Sequence, residues 1–95
     1  MSFILADAEF ADAVVYYGKI ESELGKRFFS EIERLIQTIC SDPQRFATFG
    51  GKVRRAISLR FPYSVLYIER SDYIWIVAVM NAGRRPGYWL RRITG

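Results

Sequence analysis

The sequence predicts an α+β fold, an N-terminal strand and a helical hairpin followed by a three-stranded antiparallel meander, on three observations. Apolar residues recur with helical spacing through the first 42 positions, the period changes to two after Gly50-Gly51, and both regimes are bounded by clear stop signals. With 95 residues, 51% of them hydrophobic and 16% aromatic, the chain has the material for one core, and residues 1–95 are read as a single domain.

Residues 2–5 form a short apolar segment with strand character, and Asp7 behind it is a good N-cap. Phe10, Ala13, Val14 and Tyr17 then repeat at i, i+3, i+4 and i+7, which predicts a first helix ending near Ile20. From Leu24 a second stripe, Phe28, Ile32, Leu35, Ile36 and Ile39, defines the clearest helix in the chain. Lys26, Arg27, Glu31, Glu33 and Arg34 are expected largely on its opposite side. The connection spans only a few residues, so the helices should run antiparallel. Asp42-Pro43 ends the second helix because proline cannot continue it and restricts the residue before it.

Phe46 and Phe49 are read as pinning a loop that closes on Gly50-Gly51. Beyond it, Val53, Arg55, Ile57, Leu59 and Phe61 alternate with Arg54, Ala56, Ser58 and Arg60, which predicts a strand over 53–61 with one mostly apolar face. Residues 64–70 and 73–80 are rich in Val, Ile, Tyr and Trp and flank Ser71-Asp72, the pattern of a hairpin. Two helices on one sheet face would leave the other face free, carrying Arg54 and Arg60.

Composition narrows the chemistry. The single Cys40 cannot form an internal disulfide, and without histidine the usual Cys/His metal sites cannot be built, so no metal or cofactor is expected. Cys40 reads as a structural thiol at the end of a helical pattern. The longest apolar run, 73–80, is far too short for a membrane helix and the N-terminus lacks a secretory pattern, so a cytoplasmic protein is expected. Phosphate-binding glycine loops and nucleophile elbows are absent from the sequence.

Charge is the positive clue. Residues 1–42 carry a net charge of −4 and residues 43–95 a net charge of +8. The candidate binding cluster consists of Arg54, Arg55 and Arg60 with Arg84, Arg85, Arg91 and Arg92 around Tyr88 and Trp89. Arginine stays protonated and forms forked hydrogen bonds, so such a cluster binds anions better than it moves protons. Interleaved aromatics could stack on bases, although Tyr88 and Trp89 are residue types found more often in packing, Trp89 above all.

Tyr16-Tyr17, Leu24-Gly25, Asp42-Pro43, Val53-Arg54-Arg55, Arg60-Phe61-Pro62-Tyr63 and the late Arg84, Pro86 and Trp89 together resemble the RelE/ParE toxin superfamily of type II toxin–antitoxin modules, including the plasmid stabilisation type of sequence. The likeness spans almost the whole chain. It implies the order strand, helix, helix and three strands, and a cognate acidic antitoxin forming a hetero-oligomer with the toxin. The implied target is DNA gyrase in the ParE-like branch, which binds without cutting RNA, or ribosome-bound messenger RNA in the RelE-like endoribonuclease branch. A further alternative is an inactive member whose basic face only binds antitoxin.

Relatives commonly carry a histidine where Asn81 stands, and asparagine supplies neither the base nor the acid that cleavage by a ribose hydroxyl needs. The ParE-like reading follows. Arg54, Arg55, Arg60, Arg84, Arg85 and Trp89 are then target- or antitoxin-binding residues. Under the ribonuclease alternative, Arg60 and Arg84 would stabilise charge and Tyr88, with Glu69, would do the proton work. The residues leave open whether the chain is an enzyme.

Overall fold

The computed structural model describes residues 3–5, 9–83 and 93. The elements run β1 (Phe3–Leu5), α1 (Glu9–Ile20), α2 (Ser22–Ser41), β2 (Thr48–Gly50), β3 (Val53–Ile57), β4 (Tyr63–Glu69) and β5 (Ile74–Asn81). The fold is α+β, with a five-stranded mixed sheet in the order β1-β5-β4-β3-β2. The antiparallel meander therefore forms only part of the sheet, because β1 adds to β5 in parallel and β2 adds to β3. The expected N-cap Asp7 lies outside the described residues.

α1 and α2 are joined through Glu21 alone. Phe10 stacks on Phe29 at 5.6 Å and Gly18 faces Gly25, so the helices are antiparallel. The crossing is close because Gly25 has no side chain: a Cβ there would lie 2.9 Å from the Gly18 Cα and 3.1 Å from the Val14 carbonyl oxygen. The predicted stripes pack as expected, with Phe10 and Ala13 from α1 and Phe28, Ile32, Leu35, Ile36 and Ile39 from α2 buried against Ala56, Val65, Tyr67, Ile74, Ile76 and Val79 of the sheet. Cys40 is half-buried against this core, and burial raises its thiol pKa. That environment suits packing rather than reactivity.

Several sequence expectations are corrected. Residues 48–50, read as loop, are strand β2. Glycines then turn the chain, Gly50 at φ 134 and Gly51 at φ 55, a backbone region that residues with a Cβ rarely occupy. β3 stops at Ile57 rather than running to Phe61, because the Ser58 hydroxyl accepts the amide hydrogens of Arg60 and Phe61, both at 3.1 Å, and bends the chain. Leu59, placed by alternation on an apolar strand face, is consequently 93% exposed.

The sheet face away from the helices is not free. Val53, Leu66, Ile68, Val77, Ala78 and Met80 form a second buried cluster there, joined by Phe49, Trp75 and Ile93. Both faces of β4 and β5 are thus covered, which explains their nearly unbroken apolar composition. Arg54 does not lie on that face. It pairs with Tyr67 across the strands, and both Tyr67 and the next pair on this side, Ala56 and Val65, belong to the helix-side core.

β5 carries an irregularity of its own. Leu66 pairs with Ala78 but Tyr67 with Ile76, leaving Val77 as the extra residue of a bulge. Ile74 and Ile76 therefore face the helices, Val77 and Ala78 both face away, and Val79 returns to the helix side.

Candidate functional site

Of the arginines expected to act together, the three described ones, Arg54, Arg55 and Arg60, are dispersed by the fold. Arg54 is turned into the structure, where its Nη1 donates to the Phe46 carbonyl oxygen at 2.7 Å and lies 3.5 Å from that of Gln44. It secures the segment between α2 and β2. Its neighbour Arg55, on the opposite sheet face, lies over the Phe49 ring at 4.5 Å. Arg60 stands alone of the three on the exposed turn between β3 and β4, against the outer face of α2. Arg84, Arg85, Tyr88, Trp89, Arg91 and Arg92 lie outside the described residues.

Glu69 is removed from any site containing Arg60. It closes β4 at the end opposite Tyr63, and six residues of strand separate the two by roughly 20 Å. Asn81, by contrast, lies beside the Arg60 turn: it pairs with Tyr63 in the sheet, and the following Ala82 amide donates to the Pro62 carbonyl oxygen at 2.8 Å. Its own Oδ1 accepts the Gly83 amide at 2.7 Å, which is the work of a turn residue.

The turn bearing Arg60 is held by aromatic packing. Phe61 and Tyr63 each pack on Phe28 and on Tyr17, with Phe28 at 5.1 and 4.8 Å and Tyr17 at 5.3 and 6.3 Å. The Tyr17 pKa is raised by burial first and by nearby tyrosines second. The rings predicted at this strand end are therefore the joint between the hairpin and the sheet.

Glu31 is the residue that sequence reasoning missed. Assigned to the polar side of α2, it is 5% exposed. Its Oε1 accepts from Arg34 Nε at 3.0 Å, while Oε2 accepts from Arg34 Nη2 at 3.2 Å and from the Ser58 hydroxyl at 2.9 Å. Burial opposes its charge, but the hydrogen bonds from Arg34 and Ser58, with the charges of Arg34 and Arg60, outweigh that and lower its pKa. The signal in the sequence was Glu31 lying one residue before Ile32 in the buried stripe, at i+3 from Phe28.

These side chains border a cavity of about 370 Å³ along α2, lined by Lys26, Arg27, Ser30, Glu31, Arg34 and Arg60, with Glu23 at its rim. A second groove, of about 510 Å³, follows the hairpin past Val14, Gly18, Gly25 and Phe29. No group of residues suited to holding a metal occurs among the described residues, and no described helix is long and apolar enough to cross a membrane. No family model, curated protein or solved structure matches the chain.

Proposed function

We propose that this chain is the toxin of a type II toxin–antitoxin module, ParE-like, which acts in the cytoplasm by binding DNA gyrase and is neutralised by a cognate acidic antitoxin. The observation that carries the binding reading is the lack, among the described residues, of an acid–base partner for Arg60. Asn81 cannot transfer the proton, Glu69 is at the far end of β4, and Glu31 is fully hydrogen-bonded with a lowered pKa. The order of strand, two helices and then antiparallel strands is of the kind the RelE/ParE resemblance implies, although four strands rather than three follow the helices. The apolar groove of the hairpin, with Lys26 beside it, suits an amphipathic acidic segment that folds as it binds.

A RelE-like ribonuclease is the second reading, favoured by the exposed Arg60 guanidinium at the turn next to the end of β5. Expression with and without the neighbouring gene separates them. Gyrase-linked DNA breaks with intact transcripts, retained in Tyr88→Phe, support the ParE-like toxin. Translation-dependent transcript cleavage lost in both Arg60→Ala and Tyr88→Phe would replace it with the nuclease. No toxicity and no copurifying product of the adjacent gene would end both readings.

A further inference from the structure

The cavity along α2 presents more cation than the fold consumes. Arg27, Glu31 and Arg34 follow at i, i+4 and i+7 on one helix face, and Arg60 meets them from the β3–β4 turn. Counting Lys26 and Glu23, four cations face two carboxylates. Both carboxylates are engaged: Glu23 takes Lys26 at 3.3 Å at the exposed rim, and Glu31 is buried under three hydrogen bonds.

The remaining donors converge. Arg34 uses Nε and Nη2 on Glu31, which fixes its guanidinium plane and leaves both Nη1 hydrogens unspent. Among the described residues, the Arg27 and Arg60 guanidiniums make no hydrogen bond or ion pair. Three guanidiniums around one concavity repel one another unless an anion sits between them, and their planar forks match phosphoryl oxygens.

We propose that this cavity binds a compact phosphate-bearing small molecule, its phosphoryl oxygens held by Arg27, Arg34 and Arg60. A volume of about 370 Å³ is of the size that holds a phosphate and a small organic body. The carboxylates argue against a long polyanion, because a nucleic-acid backbone laid along α2 would pass Glu23 at one end of the same groove. Arg27 and Arg34 lie outside the toxin resemblance and Arg60 is shared with it, so binding of a small phosphate at all three is tested independently of toxicity.

The test is NMR titration of the full chain in phosphate-free buffer at constant ionic strength, following the arginine Nε–H signals. Inorganic phosphate, adenosine monophosphate and an eight-nucleotide single strand are the probes. Saturable shifts of Arg27, Arg34 and Arg60 with phosphate and the mononucleotide are expected, and in Arg27→Gln/Arg60→Gln the affinity read at the remaining Arg34 signal should fall about tenfold or more. Lys19→Gln/Arg45→Gln, which removes the same charge at exposed positions elsewhere, should leave them unchanged. Shifts that never saturate, equal weakening in both double variants, or tighter binding of the oligonucleotide than its added phosphates explain would overturn the proposal. Both arginines of the first variant are exposed, and Glu31 keeps its hydrogen bonds from Arg34 and Ser58, so the variant should stay folded with thermal unfolding close to that of the parent chain.

Discussion

The closeness of the helical hairpin makes an unusually sharp prediction, because the same substitution at two facing glycines should act with opposite sign. At Gly25 an added Cβ meets only backbone: Gly18 Cα at 2.9 Å, Gly18 N at 3.0 Å and the Val14 oxygen at 3.1 Å. None of these is a flexible chain end, so α1 must move away by about half an ångström or more to restore ordinary contact. Overpacking of this kind costs roughly 1–3 kcal/mol, against about 1 kcal/mol returned by alanine's better helix propensity. Gly25→Ala should therefore lose up to about 2 kcal/mol, which lowers Tm by up to roughly 15 °C for a domain of this size.

At Gly18 a Cβ meets nothing within 4 Å, and only the propensity gain remains. Gly18→Ala should gain about 0.5–1 kcal/mol and raise Tm by several degrees. Thermal unfolding of the two variants by circular dichroism, with urea midpoints as a check, reads both signs. A stabilised Gly25→Ala would refute the close crossing, and with it the shape of the groove past Val14, Gly18 and Phe29.

Two further predictions concern titration. Glu31 has a folded pKa below its unfolded value near 4.5, so its contribution is present above that value and is lost as pH falls through the folded one. Glu31→Gln should be destabilised by about 1–3 kcal/mol at neutral pH, and urea midpoints of variant and parent should converge as the pH falls below the unfolded value and through the folded one. A gap that persists at acid pH would place the loss in packing instead. Tyr67 is buried, with its hydroxyl donating to the Pro43 carbonyl oxygen at 2.6 Å, and burial pushes its pKa up to about 12. Its raised pKa favours the fold below about pH 10 and that support is lost as pH rises toward 12. Ultraviolet titration should show one tyrosine ionising last, and Tyr67→Phe should abolish that step while costing about 1 kcal/mol at neutral pH.

Much of the fold was legible in local pattern. The apolar stripes of α1 and α2, the stop at Asp42-Pro43 and the turn at Ser71-Asp72 are set by spacing and by turn chemistry within a few residues, and α1, α2, β4 and β5 lie within about two residues of their predicted bounds, whereas β3 ends four residues early and β2 reads as loop. Strand faces were less legible. The alternation of 53–61 suggested one apolar side, yet the helices packed on the side of Arg54, Ala56 and Ser58. Period alone does not say which side of a strand meets the helices once both are covered, and the second cluster covers the other. The bulge at Val77 was likewise hidden, because a run of apolar residues reads the same with or without an extra residue.

The candidate site shows the same division. That this chain is rich in arginine and without histidine is written in its composition, and it directs attention to anion binding whatever the fold. Which arginines are available was decided by tertiary structure alone. Arg54 and Arg55, adjacent in sequence, leave the strand on opposite faces to meet backbone carbonyls and the Phe49 ring, while Arg60 is carried over α2 to join Arg27 and Arg34. Glu31 and Ser58, 27 residues apart, determine that meeting: a buried carboxylate must find donors, and the hydroxyl that satisfies it also bends the turn bearing Arg60. Composition selects the type of chemistry, but the need to satisfy buried polar groups across distant segments selects the residues that perform it.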